Sequence, residues 1–300
     1  MKRRNAKTRG ERTAGQLFEA CVHAIFLILG LVTIGCVLLI TFYLVISGIP
    51  AIREIGLADF LFGSKWASTA AQPLYGILPF ILTSIYGTLG AILLGVPVGV
   101  LTAVYLAKMA PKRVKSVMGQ AVSMLAGIPS VVYGLVGMMV LVSGIRKLFH
   151  IPDGASLLAA IVVLAVMILP SIIKISVTAL EAVPREYEDA SLALGATPEE
   201  TYFRVSIPAA RSGIAASVVL GVGRAVGEAM AVMMVAGNAP NMPDSLFQSV
   251  RFLTTAVASE MSYSSGLQRQ ALFSIALVLF VFIMLINAAL NFFLKGGKNT

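Results

Sequence analysis

Apolar residues gather into six long runs along the chain, at 20–47, 74–107, 117–142, 156–176, 212–236 and 271–294. A helix needs about 20 apolar residues to cross the hydrocarbon core of a bilayer, and each run meets that length. The pattern predicts an all-α, polytopic membrane protein with six transmembrane helices. Pro79 and Pro97 trim or kink the long second run, which membrane helices tolerate where neighbours satisfy the freed backbone groups. The first run follows a basic N-terminus, as the apolar part of a signal peptide would. It is too long for that and no small-residue cleavage site follows, so a retained helix is expected.

Composition supports the same class. The chain is 58% hydrophobic and 12% charged, with a mean hydropathy of +0.89, whereas soluble domains carry about a quarter charged residues. The net charge of +9 acquires meaning once mapped onto the segments between the runs. Lys2, Arg3, Arg4, Lys7, Arg9 and Arg12 precede the first run, and Lys108, Lys112, Arg113 and Lys115 follow the second. Arg185, Arg204 and Arg211 follow the fourth, and Lys295 and Lys298 follow the last. The opposite side holds only Arg53, Lys65, Arg146, Lys147, Arg251 and Arg269. Basic residues favour the cytoplasmic side, so both termini are expected there, in a multi-pass protein of the cell (inner) membrane. The positive charge therefore reports topology and lipid contact rather than nucleic acid. Lys174 lies near an inner helix end and can snorkel to the interface. Trp66, the single tryptophan, reads as an interfacial anchor.

The expected organisation is a basic tail (1–19), a first helix with its outer loop (20–73), a transmembrane domain (74–294) holding an inner loop at 181–208, and a short tail (295–300). Cys21 and Cys36 would lie about 22 Å apart along one helix, too far to bridge. His23 and His150 are distant in sequence, and no metal site is expected.

The inner loop, EAVPREYEDASLALGATPEETYFRVSIP, carries a helical code of its own. Pro184 suits a helix start, Tyr187, Leu192 and Leu194 give a partial apolar face, and Gly195 suits a C-terminal stop. Thr197-Pro198-Glu199-Glu200 reads as a capping box with proline at the first helical position, and Pro208 ends the second helix. Such a helix–turn–helix, with apolar residues between charges, is expected to dock a partner.

Its spacing resembles the EAA loop of ABC importer permeases, Glu-Ala-Ala, three residues, Gly, nine residues, Ile-x-Leu-Pro. Here Asp189-Ala190-Ser191 is followed by three residues, Gly195, nine more and Val205-Ser206-Ile207-Pro208. Asp189 and Ser191 depart from the pattern, and Glu188 is an alternative for the acidic role. The resemblance implies the type I importer permease fold and a coupling helix seated in a separate ATPase. The chain has no G-x-x-x-x-G-K-[ST] loop, so Mg-ATP would belong to that partner and the chain would bind no cofactor and hold no catalytic residue.

The run at 212–236 contains VLGVGRAVGEAMAV, residues 219–232. Its glycines do not form a dinucleotide loop: the third falls one position late and no strand precedes them. Gly213, Ser217, Gly221, Ala225 and Ala229 instead recur every four residues, and Gly223, Gly227 and Ala231 form a second small row. Small residues at that spacing let helices approach closely in lipid, so a central, packed fifth helix is expected. Arg224 sits at its midpoint and Glu228 one turn on, on nearly the same face. A charge at the bilayer centre costs about 2.5–3.5 kcal/mol. The two are expected to pair, either as a structural ion pair or as part of a substrate pathway. In the pathway reading Arg224 offers its fork to an oxyanion and Glu228 keeps the anion from being trapped.

GVGRAVGEAMAV, AGIPSVVYGLVG at 126–137 and MSYSSGLQRQALFSIALVLFVFIMLIN at 261–287 resemble phosphate-specific permease subunits of the PstC type. That resemblance implies phosphate as cargo, with Arg224 and Glu228 in its passage. It also implies a second, PstA-like permease subunit, two ATPase copies and an external phosphate-binding protein. A permease for sulfate, molybdate or phosphonate is an alternative. An ion-gradient-driven transporter would need several midplane acids and paired halves, and the sequence offers one acid and no internal repeat. A membrane-bound phosphate sensor that carries nothing is a further alternative.

Overall fold

The computed structural model describes residues 7–296. Lys2, Arg3, Arg4 and Lys298 lie outside them. In chain order come α1 (Lys7–Ile55), α2 (Leu57–Phe62), the antiparallel hairpin β1 (Trp66–Ala67) and β2 (Leu74–Tyr75), α3 (Leu78–Met109) and α4 (Lys112–Gly127). There follow α5 (Ser130–Phe149), α6 (Leu157–Glu181), α7 (Arg185–Ala193), α8 (Pro198–Ala209), α9 (Arg211–Gly227), α10 (Met230–Val235), α11 (Leu253–Glu260) and α12 (Gly266–Gly296). Five of these helices are long and apolar enough to cross a membrane, or six spans if α8 and α9, bent by 71°, are counted as one.

The helix α1 starts inside the segment read as a tail. Its apolar part, Phe18–Ile55, has 38 residues and rises about 57 Å, nearly twice a hydrocarbon core. It touches the rest of the chain near its C-terminal end, where Tyr43 meets Phe273 edge-on at 5.4 Å and Ser274 Oγ donates to the Gly48 carbonyl at 2.6 Å.

The expected third span at 117–142 is corrected. Pro129 restricts Ile128 to extended backbone (φ −69°, ψ 129°) by clashing with a helical predecessor. The run therefore divides. Its first part lies on α4, a separate helix with Lys112, Arg113 and Lys115 in its first turn, and the span is α5. Arg146 and Lys147, read as loop residues, occupy the last turn of α5.

The most buried of these five spans is α6. Its apolar residues face α3 on one side and α9 on the other. A Cβ on Gly95 of α3 would fall 2.7 Å from Ile168 Cδ1, and one on Gly221 of α9 would fall 3.1 Å from Ile172 Cγ1. The Ser176 and Ser217 hydroxyls hydrogen bond at 2.9 Å between α6 and α9. The first row of small residues on α9 thus packs as expected. Of the second row, Ala231, which falls on α10, is buried and the two glycines are not. Gly223 and Gly227 are exposed, and a Cβ on either would meet nothing within 4 Å, because α6 covers only one face of α9.

This difference is measurable. Gly221→Val overpacks the α6 contact, which costs about 1–3 kcal/mol, and should lower the thermal unfolding midpoint in detergent. Gly223→Val should leave it unchanged.

A second cluster caps the hairpin end of the molecule: Phe60, Trp66, Tyr75 and Phe80 pack with Leu253, Leu272 and Ile275. Trp66 is buried there, 5.4 Å from Tyr75 and 5.6 Å from Phe80, which corrects its reading as an interfacial anchor. The opposite, elbow end carries α7 and α8, and α3 connects the two.

Candidate functional site

Arg224 stands 13 residues along α9 from the elbow, about 20 Å. The helix ends three residues later. Glu228 is extended (φ −74°, ψ 128°), and α10 begins at Met230. The expected continuous fifth helix is therefore broken, and the expected Arg224–Glu228 pair does not form. The ion pairs among the described residues are Lys108–Glu188, Lys115–Glu181 and Arg251–Glu260. The break supplies the reason. Off the helix, the Glu228 carboxylate turns forward and its Oε1 accepts the Ala231 amide at 3.0 Å, satisfying one of the free donors that start α10. The Glu228 carbonyl, freed by the break, accepts Thr254 Oγ1 of α11 at 2.8 Å.

Arg224 is half-buried and, among the described residues, has no ion-pair partner. On α5 the Tyr133 hydroxyl donates to the Leu125 carbonyl at 2.7 Å. The surface of α9 beside Arg224 is open along Ala216, Leu220, Gly223 and Gly227. A guanidinium with free donors, next to an uncovered helix face, is chemically suited to a doubly bonded oxyanion.

At the elbow the helical code is realised. The Thr197 amide donates to Glu200 Oε2 at 3.1 Å and the Glu200 amide to Thr197 Oγ1 at 3.3 Å, completing the capping box. Gly195 turns the chain at φ +88°, a left-handed conformation that favours glycine. Pro208 sits in the last turn of α8, the turn before it widens to π geometry at Tyr202–Ser206, and the sharp bend follows at Ala210. A proline withholds one helical donor, which such widening accommodates.

The two candidate acids separate. Glu188 points inward to the ammonium of Lys108 at the end of α3, and its Oε1 accepts Ser206 Oγ of α8 at 2.7 Å. Burial works against its charge, but the bonds from Lys108 and Ser206, with the charges of Lys108 and Arg185, outweigh it and hold the carboxyl below its ordinary 4.5. A lowered folded value means that Glu188 stabilises the elbow fully above about pH 4.5 and loses this contribution as the pH falls through that lowered value. Ser191 shares a 2.9 Å hydrogen bond with Thr201. Asp189 and Ala190 face outward, as does Leu194, which is 90% exposed.

Lys108, Ser206, Thr254 and a buried carboxylate, Glu260, were not singled out by the sequence. Ser206 meets Glu188 across 18 residues, Thr254 meets Glu228 across 26 and Glu260 meets Trp66 across 194, and no local pattern marks such contacts.

The chain is similar to known proteins over most of its length. Residues 95–296 match the family described as binding-protein-dependent transport system inner membrane component. The probable ABC transporter permease protein YqgH of Bacillus subtilis is 38% identical over 91% of this chain and 91% of its own. The phosphate transport system permease protein PstC of Haemophilus influenzae is 33% identical over 86% of each chain. PstC 2 of Mycobacterium tuberculosis is 31% identical over 97% of this chain and 93% of its own. Among solved structures, an inward-facing form of the MetNI methionine ABC transporter superposes with a TM-score of 0.54 at 20% identity, covering 74% of this chain and 94% of that one.

Proposed function

From the premise that this chain belongs to the inner-membrane components of binding-protein-dependent transport systems, a non-catalytic, multi-pass permease related to PstC, we propose that it carries phosphate. The unpaired Arg224 beside an open face of α9 carries this reading, supported by the names of the PstC relatives. The open face is where a second, PstA-like permease subunit completes the pathway. The elbow is cytoplasmic and docks a pair of ATPase subunits that bind Mg-ATP, while an external phosphate-binding protein meets the hairpin end.

Arg224 binds the anion in passing, and Glu228, held off its side chain by the α10 amide, leaves the fork free to do so. Glu188 keeps α7 against α3 and α8. Asp189, Ala190, Leu194 and the turn at Gly195 present the docking face, and Pro208 precedes the bend that carries elbow motion into α9. A gradient-driven transporter has no use for such an elbow.

Gly195 provides a test of the docking face. A Cβ there meets nothing within 4 Å, so the fold has room and the cost of substitution is the left-handed backbone, about 1–2 kcal/mol. Asparagine tolerates that conformation. Gly195→Asn should keep ATP-driven uptake and Gly195→Arg, with its bulk on the docking face, should remove it in membranes containing equal protein. The substrate test is uptake of labelled phosphate, sulfate and molybdate by the reconstituted complex. Phosphate should be preferred, and preference for another anion would replace this substrate.

A further inference from the structure

Glu260 closes α11 at 6% exposure, a charge outside the proposed pathway and deep in the hairpin-end cluster. It is fully partnered. Trp66 Nε1 donates to its Oε1 at 3.2 Å, and Ser68 Oγ and Gln268 Nε2 donate to Oε2 at 3.3 and 3.0 Å. Arg251 forms an ion pair with Oε1. These donors come from the hairpin, from the segment before α11 and from α12, so one carboxylate ties the distant hairpin to both segments that flank α11.

Two connections run from this node to the broken helix. Thr254, near the other end of α11, donates to the Glu228 carbonyl at 2.8 Å, and α11 between them is one short rod. Arg251 also donates through Nε to the Asn238 carbonyl at 2.8 Å, and Asn238 Nδ2 donates to the Met233 carbonyl of α10 at 2.6 Å. Both connections therefore end on the segment that holds the Glu228 break.

We propose that Glu260 and Arg251 are positioning residues that link the hairpin to the Glu228 break, so that a binding protein pressing on the hairpin shifts the pathway next to Arg224. This proposal rests on the reading of the chain as a binding-protein-dependent permease. The physical reason is the cost of leaving a buried carboxylate short of donors. The hairpin cannot slide gradually past Glu260: either the donors remain and α11 follows, or the node breaks. A satisfied buried node therefore transmits position where apolar packing alone would let the surfaces slip.

The test uses the assembled transporter in lipid discs, with ATP hydrolysis measured with and without the phosphate-loaded binding protein. Glu260→Gln keeps size and one acceptor but loses the ion pair. It should leave basal hydrolysis unchanged and lower stimulation by the loaded protein at least about fivefold, the low end of ordinary coupling between sites. Trp66→Phe retains ring packing, removes one donor and should act in the same direction to a smaller degree. Undiminished stimulation in both variants would overturn the link. So would equal loss of basal and stimulated activity, which marks a packing role alone. If the wild-type complex answers only to a sulfate-loaded protein, the phosphate reading fails by itself and the link is judged on the same ratio measured with that protein.

Discussion

Reversing the charge at Arg224, as Arg224→Glu, is expected to abolish phosphate uptake while the permease still copurifies with its partners. Two charge-assisted hydrogen bonds from one guanidinium contribute about 1.5–3 kcal/mol each. Their loss alone corresponds to at least about a hundredfold in binding, and an added carboxylate repels the anion further. Assembly should survive because Arg224 has no ion-pair partner among the described residues, so the reversal leaves no opposite charge stranded. Arg224→Lys keeps the charge without the planar fork and should fall between wild type and reversal. Copurification, followed by uptake at matched protein, separates the outcomes. A reversed permease that no longer assembles would make Arg224 a packing residue and leave the pathway without its anion site.

The second large effect belongs to the ion pair between Lys108 and Glu188. Both side chains are mostly buried, 11% and 17% exposed, and breaking a buried pair costs about 3–5 kcal/mol. The low end of that range applies because the pair lies at the edge of the bundle. Glu188→Lys places two ammonium groups together and releases Ser206, so α7 loses its hold on both α3 and α8. ATP-driven uptake should disappear and the elbow should become open to proteases. Lys108→Glu should do the same from the other side. The double exchange restores opposite charges and should recover most of the uptake, since the pair is then rebuilt in reverse. A double variant no better than either single would mean that Glu188 meets the ATPase directly. Asp189→Asn, by contrast, should leave the elbow resistant to proteases and weaken only ATPase attachment, because Asp189 faces outward.

Local features of the elbow were legible before any coordinates. Thr197 and Glu200 stand three residues apart and cap the same helix, and Gly195 sits at the one left-handed position between the two helices. Such features depend on neighbours within a turn or two, so the order of residue types is enough to specify them. The number of spans was legible for a related reason: lipid requires a long apolar run wherever the chain crosses. Where the third span begins was less so, because hydropathy averages over Ile128 and Pro129 while a single proline divides the helix.

The split between sequence and structure follows the distance over which each force acts. Apolar length, capping residues and the spacing of charges determined by themselves that this chain crosses a membrane many times and carries a helical elbow. Only the packed structure decided that α9 stops at Gly227, that Glu228 turns to the α10 amide instead of to Arg224, and which of two adjacent acids faces inward. Those outcomes depend on Thr254, Lys108 and Ser206, residues brought alongside by the folding of distant segments. A hydrogen bond between such segments forms only when both are in place, and nothing in the local order of either one encodes it.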